Sequence, residues 1–231
     1  MEIPQTSAAQ EGGIILVDKP EGITSHDVVD CIRRKLRIKR VGHAGTLDPM
    51  ATGLLIILVG KATRYFNKFQ EFNKTYSATM KLGVVTDSGD STGKILSTRD
   101  VLVTEEQVMT AVKSFEGEIE QIPPMVSALR YKGKRLYEIA REGKVVERSP
   151  RKICIKKIVV ERIALPMVDF VIECSKGTYI RKLAEDIGEK LICGGCIVKI
   201  RRLSIGTFDI KNAYSLDAID EHSLQTVTFR S

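Results

Sequence analysis

Gly42-His43-Ala44-Gly45-Thr46-Leu47-Asp48-Pro49 sets a carboxylate five positions after a histidine, in a stretch that reads as a loop between a basic segment and an apolar run. Asp48 precedes a proline, which disfavours the α region there and pushes Asp48 towards extended backbone. Gly42 and Gly45 let the chain turn tightly or approach a ligand closely. A carboxylate held on a tight loop is a candidate for catalysis. The same residues also read as Asp-Pro turn chemistry beside a surface histidine, and spacing alone favours that plainer reading.

Other chemistries find no support. No G-x-G-x-x-G occurs, so a dinucleotide fold is not indicated. Gly60-Lys61 follows an apolar strand, but Gly53 lies seven positions before Gly60 and Ala62 stands where a phosphate loop needs Ser or Thr. There is no G-x-S-x-G, and His26, His43 and His222 lack metal-ligand spacing. Asp87-Ser88-Gly89-Asp90-Ser91-Thr92-Gly93 is turn-rich without the closing Glu of a calcium loop. Cys193-Gly-Gly-Cys196 follows a helical pattern, where the two glycines more simply end the helix. An enzyme built from these residues works without metal or organic cofactor and centres on a carboxylate, with Asp48 best placed.

Charge narrows the partner. The net charge is +7. Between Arg130 and Lys157 eleven Lys or Arg face three Glu, a balance of +8 that leaves the rest of the chain near −1. Arg33 to Arg40 carries six basic residues in eight and no acid. Two such runs fit a polyanion, and basic charge beside the Asp48 loop favours nucleic acid over a small acidic metabolite.

The surrounding pattern predicts what must position these residues. Gly13 to Val17 reads as a strand stopped by the turn cluster Asp18 to Gly22. Thr24 or Ser25 caps a helix bearing Val28, Ile32 and Leu36. Leu54 to Val59 reads as a strand buried on both faces. Lys74 to Leu82 alternates, with Tyr76, Ala78, Met80 and Leu82 on one face. Thr104-x-x-Gln107 forms a capping box before Val108, Ala111 and Val112. Pro123-Pro124 breaks the chain before a basic segment holding a short amphipathic helix. Strands near Ile153–Ile163 and Val168–Cys174, a helix with Ile180, Leu183, Ala184 and Ile187, and strands at Ile197–Leu203 and Thr207–Ile210 follow. A weak helix is expected near Leu216–Ile219. Without regular βαβ alternation, the fold class is α+β with a mixed, largely antiparallel sheet flanked by helices.

Gly42-His43-Ala44-Gly45-Thr46-Leu47-Asp48-Pro49-x-Ala51-Thr52-Gly53 resembles the signature of the TruB family of tRNA pseudouridine synthases. Collinear matches include Asp18-Lys19-Pro20-x-Gly22-x-Thr24-Ser25, Lys74-Thr75-Tyr76, Thr86-Asp87-x-x-Asp90-x-x-Gly93 and Pro123-Pro124-x-x-Ser127-Ala128. Cys174-Ser175-Lys176-Gly177-Thr178-Tyr179-Ile180-Arg181 and Arg201-Arg202-x-x-x-Gly206-x-Phe208 complete them, from about Gly13 to Phe208.

The resemblance implies the pseudouridine synthase fold and isomerisation of the T-loop uridine usually numbered 55 in tRNA, with no cofactor. Asp48 matches the essential aspartate, acting as nucleophile at the ribose C1′ or stabilising the cation and assisting proton loss at C2′. His43 would fill the space that the flipped base vacates. Tyr76 would stack on the uracil and take part in proton transfer. Arg181 would be the charge partner of Asp48, and Tyr179 and Ile200 would line the pocket. Lys19, Lys74 and Arg202 are expected to contact RNA.

Residues 124–152 resemble the family's RNA-gripping thumb, inserted in a single catalytic domain, 1–231. By the same resemblance, residues 209–231 are expected to form a short C-terminal tail in place of a PUA-type domain. Ile200 stands where the family usually has Leu, a nearly volume-conserving change. The expected partner is the tRNA T stem-loop, without membrane or required protein partner, on a monomer. Met1 to Gly13 shows no secretory signal and the longest aliphatic stretch is too short to span a bilayer, so a cytoplasmic location is expected.

Overall fold

The computed structural model describes residues 12–225, so the N-terminal reading and the last residues of the C-terminal tail lie outside the described residues. In chain order the elements are β1 (Gly13–Lys19), α1 (Ser25–Leu36), β2 (Val41–Ala44), β3 (Thr52–Val59), α2 (Phe66–Glu71), β4 (Lys74–Leu82), β5 (Val84–Thr86) and β6 (Ile95–Thr98). Next come α3 (Glu105–Lys113), β7 (Gly117–Gln121), β8 (Arg130–Tyr131), β9 (Lys134–Arg135), α4 (Leu136–Arg141), β10 (Arg151–Ala164) and β11 (Met167–Cys174). The chain continues through α5 (Ile180–Lys190), β12 (Gly195–Ile205), β13 (Phe208–Asp209) and β14 (Tyr214–Ser215). The described residues form two compact units: 12–74 with 201–225, and 75–200.

In the first unit β3 is the central strand. β1 runs antiparallel along it from Gly13↔Val59 to Lys19↔Gly53. β2 pairs antiparallel with its far end, Val41↔Val59 to Ala44↔Ile56, and β12 pairs parallel with its near end at Arg201↔Thr52 and Arg202↔Gly53. The link from β2 to β3 is the Asp48 loop. β3 is buried at every position after Thr52, as its unbroken apolar run requires. Ile14, Leu16, Leu54, Ile56, Leu58 and Phe69 form a core cluster, with Phe72 and Phe208 packed against it. Phe69 meets Phe72 edge-on at 5.9 Å between centroids. α1 begins at a capping box in which Thr24 accepts from the Asp27 amide and Asp27 accepts in return. The Thr24 hydroxyl, which donates to the same carboxylate, and then the Thr24 amide hold the Asp27 carboxyl below its ordinary value.

In the second unit β10 lies antiparallel between β7 and β11, with β4 on the other side of β11. β5 with β6 and β8 with β9 form separate hairpins. α3 starts at the expected Thr104–Gln107 capping box and buries Val108, Ala111 and Val112. In the basic segment, α4 buries Leu136 and Ile139. Lys132 and Arg141 lie over the rings of Tyr131 and Tyr137.

Three local expectations change. Gly42 to Ala44 form a strand, because β3 needs a ladder partner at Ile56–Val59 and Val41 and Ala44 fill the core beside it. Leu216–Ile219 is a turn, too short to propagate as a helix, and the residues before it pair with β1 instead (Val17↔Tyr214). α5 ends at Lys190 and the chain turns away at Ile192, left-handed at φ 63°, with the Cys193 and Gly194 amides returning to the Gly188 carbonyl at 3.1 and 2.9 Å. No helix among the described residues is long and apolar enough to cross a membrane.

Candidate active site

Every carbonyl from Gly45 to Pro49 is held. The Arg202 guanidinium donates from Nη2 to Gly45 at 3.1 Å and, more weakly, from Nη1 to Thr46 at 3.5 Å. The Ser25 hydroxyl donates to the Leu47 carbonyl at 3.1 Å and accepts from the Leu47 amide at 2.9 Å. The Asp48 carbonyl accepts from the Ala51 amide at 3.0 Å. That of Pro49 accepts from the Gly22 amide at 2.9 Å and the Lys19 ammonium at 3.2 Å. Leu47, Met50 and Ala51 turn inward as apolar anchors. Asp48 itself is half-buried, and so is His43, which lies opposite Ile57 on β2.

Lys19, Lys74 and Arg202 were expected to meet RNA, but they lie inside the first unit. Lys19 is fully buried and donates to the carbonyls of Pro20, Ile23 and Pro49, so all three ammonium protons are used. Burial pushes it down from 10.5 to about 8, although the charges of Asp48 and Glu21 pull the other way. Lys74 donates to Gln70 and Phe72. Arg202 is 2% exposed. Next to it, Arg201 makes a two-pronged pair with Asp18 at 3.0 and 2.6 Å.

In the second unit Arg181 is 4% exposed, which rules out a solvated helix position. Its guanidinium donates to the Ser88 carbonyl and to that of Val126 (2.7 Å), and Nε lies 3.6 Å from Asp90 Oδ2. Asp90 organises the loop around it, on both sides in sequence. Its Oδ1 accepts from the Ser88 hydroxyl (2.8 Å) and from the Thr92 hydroxyl and amide (2.6 and 3.0 Å). The loop lies close against α5, since a Cβ on left-handed Gly89 would collide with Glu185. Asp90 is therefore a carboxylate facing Arg181 to which sequence reasoning gave no role, although it stood inside a matched segment.

Gln121 was missed entirely. It is buried, accepts from the Tyr179 amide at 2.8 Å and donates to its carbonyl at 3.2 Å, fixing the residue that precedes α5. Tyr76 on β4, Tyr179 and Ile200 on β12 are all half-buried, which leaves each part of its surface accessible. No group of three or more His, Cys, Asp or Glu side chains suited to a metal occurs among the described residues.

The first unit thus assembles His43 and Asp48 with Lys19 and Arg202, and the second carries Tyr76, Tyr179, Arg181 and Ile200. The model described as TruB family pseudouridylate synthase (N terminal domain) matches residues 33–180. The tRNA pseudouridylate synthase B C-terminal domain matches 181–228. The chain is 47% identical to tRNA pseudouridine synthase B of Clostridium kluyveri over 212 residues, covering 92% of this chain and 73% of that protein. It is also 47% identical to the protein of that name from Opitutus terrae, covering 94% and 91%. Among solved structures, a chain of a Cbf5-Nop10-Gar1 complex superposes with a TM-score of 0.74 at 30% identity. That match takes in 97% of this chain, which spans 62% of the solved chain's length. With this fold, these loops and these matches, the chain belongs to the TruB family of pseudouridylate synthases.

Proposed function

We propose that this protein isomerises uridine to pseudouridine in the T loop of tRNA, with Asp48 as the reacting carboxylate. The observation that carries the reading is a half-exposed acid on a loop whose every carbonyl from 45 to 49 is anchored. The glycosidic N1–C1′ bond breaks, the uracil turns, and C5 bonds to C1′. The C5 proton leaves and N1 is protonated, so the change needs no redox partner. Asp48 either attacks C1′, leaving again when C5 bonds there, or supports the cation while a C2′ proton departs and then returns as C5 bonds to C1′. His43 occupies the space the base leaves, at an unstacking cost of about a few kcal/mol. Tyr76 stacks on the uracil, Arg181 supplies positive charge, and Tyr179 and Ile200 bound the base. The basic segment 124–152 grips phosphates and sets affinity more than sequence choice. The enzyme is read as a cytoplasmic monomer that needs no protein partner.

Asp48→Ala tests the reading. Binding of an unmodified tRNA transcript should survive while pseudouridine formation disappears; full turnover would remove Asp48 from the chemistry. A T stem-loop transcript should be a substrate, and one lacking that loop should not.

A further inference from the structure

Lys19 on β1, Gly53 on β3 and Arg202 on β12 form one row across three strands, in the registers Lys19↔Gly53 and Arg202↔Gly53. Gly53 is left-handed at φ 100°, and a Cβ on it would collide with the backbone of Arg202. The missing side chain therefore lets β12 lie close to the start of β3. From the ends of this row the two cations reach opposite ends of the Asp48 loop: Lys19 takes Pro49, Arg202 takes Gly45 and Thr46.

We infer that Arg202 is a positioning residue for the reaction, setting the start of the Asp48 loop against β3. Each of its three nitrogens donates to a main-chain carbonyl, and Nε reaches Leu54 at 2.7 Å on the far side of the loop from Gly45. One rigid fork thereby ties the residues before Asp48 to the strand after it. A lysine, with a single ammonium on a flexible stem, cannot hold both sides in the same geometry. The guanidinium is almost wholly buried and each of its nitrogens already donates to a main-chain carbonyl, so its effect on RNA is indirect. Small displacements of a reacting group cost rate steeply, about 100-fold for 1 Å.

This inference rests on Asp48 as the reacting carboxylate, so Asp48→Ala is run beside Arg202→Lys. For Arg202→Lys the single-turnover rate at saturating unmodified tRNA should fall about 30- to 100-fold, with RNA affinity held within about threefold. Amide exchange should quicken at Leu47 and Ala51 but not along β1 and β3. A wild-type rate overturns the inference. So does weaker RNA binding with an unchanged saturated rate, which would mean RNA contact, or faster exchange throughout β1 and β3, which would mean general support of the fold. If Arg202→Lys does not fold, Ser25→Ala loosens the same loop at Leu47 and should show the same split; wild-type turnover there overturns the inference too. An active Asp48→Ala sinks the reading of Asp48 itself, whereas an inactive Asp48→Ala beside a fully active Arg202→Lys sinks only the role of Arg202.

Discussion

Arg181 and Asp90, each 4% exposed, face one another with Nε 3.6 Å from Oδ2, and the carboxylate's other oxygen is saturated by Ser88 and Thr92. The acid thus shapes its own loop and presents one oxygen to the guanidinium. Asp90→Ala should destabilise the protein by about 3 kcal/mol, the usual scale for breaking a buried pair. It should also slow isomerisation while tRNA binding persists. Asp90→Asn keeps the acceptor for Ser88 and Thr92, so its stability loss should be smaller. Urea unfolding with single-turnover rates checks this; an unchanged unfolding midpoint for Asp90→Ala would contradict it.

Lys19 gives opposite pH trends for rate and stability. Its folded value, about 8, lies below its ordinary 10.5. The fold therefore disfavours the ammonium: the penalty is full below about 8 and is relieved as pH rises towards 10.5. Over the same window the neutral amine keeps two N–H donors for the carbonyls of Pro20, Ile23 and Pro49, and the charge beside Asp48 disappears. Single-turnover rate should decline above about pH 8, while the Lys19 contribution to unfolding free energy rises. Lys19→Met should be slower and flat through that window, and comparison with it subtracts titration of the RNA. An identical alkaline limb in both proteins would rule Lys19 out as its source.

Gly53→Ala should destabilise by about 3 kcal/mol. Left-handed backbone accounts for about 1–2 kcal/mol. The rest comes from a methyl group pressed into the Arg202 backbone, which cannot swing aside as a side chain could. Thermal unfolding measures it, and a loss below about 1 kcal/mol would show that β12 can shift away from β3 easily.

Much of the scaffold was legible. The buried run of β3, the alternation of β4 and the capping boxes at Thr24 and Thr104 each carry a local signal in residue type and spacing. The acid on its loop could be picked out from residue type and spacing, whereas roles for Tyr76, Tyr179, Arg181 and Ile200 came only as implications of family resemblance. The interior cations were not legible. Lys19 and Arg202 read as surface charge because burying a cation is costly unless carbonyls converge on it, and those carbonyls come from residues 30 to 157 positions away as well as from nearby ones. Proximity in space, absent from any window of sequence, decides the matter. Gln121 was hidden for the same reason: its partner backbone lies 58 residues on. Gly42–Ala44 looked like loop because two glycines masked a strand that only β3 could call into being.

The stitched carbonyls of residues 45–49 have a thermodynamic consequence for RNA recognition. Ordering a residue's backbone costs about 1–2 kcal/mol in entropy, so a catalytic loop that closed only on substrate would subtract several such terms from affinity. Here every bond that orders the loop comes from the chain's own residues, so that ordering belongs to folding. The free energy released on contact with tRNA is then left for pulling the uridine out of its stack.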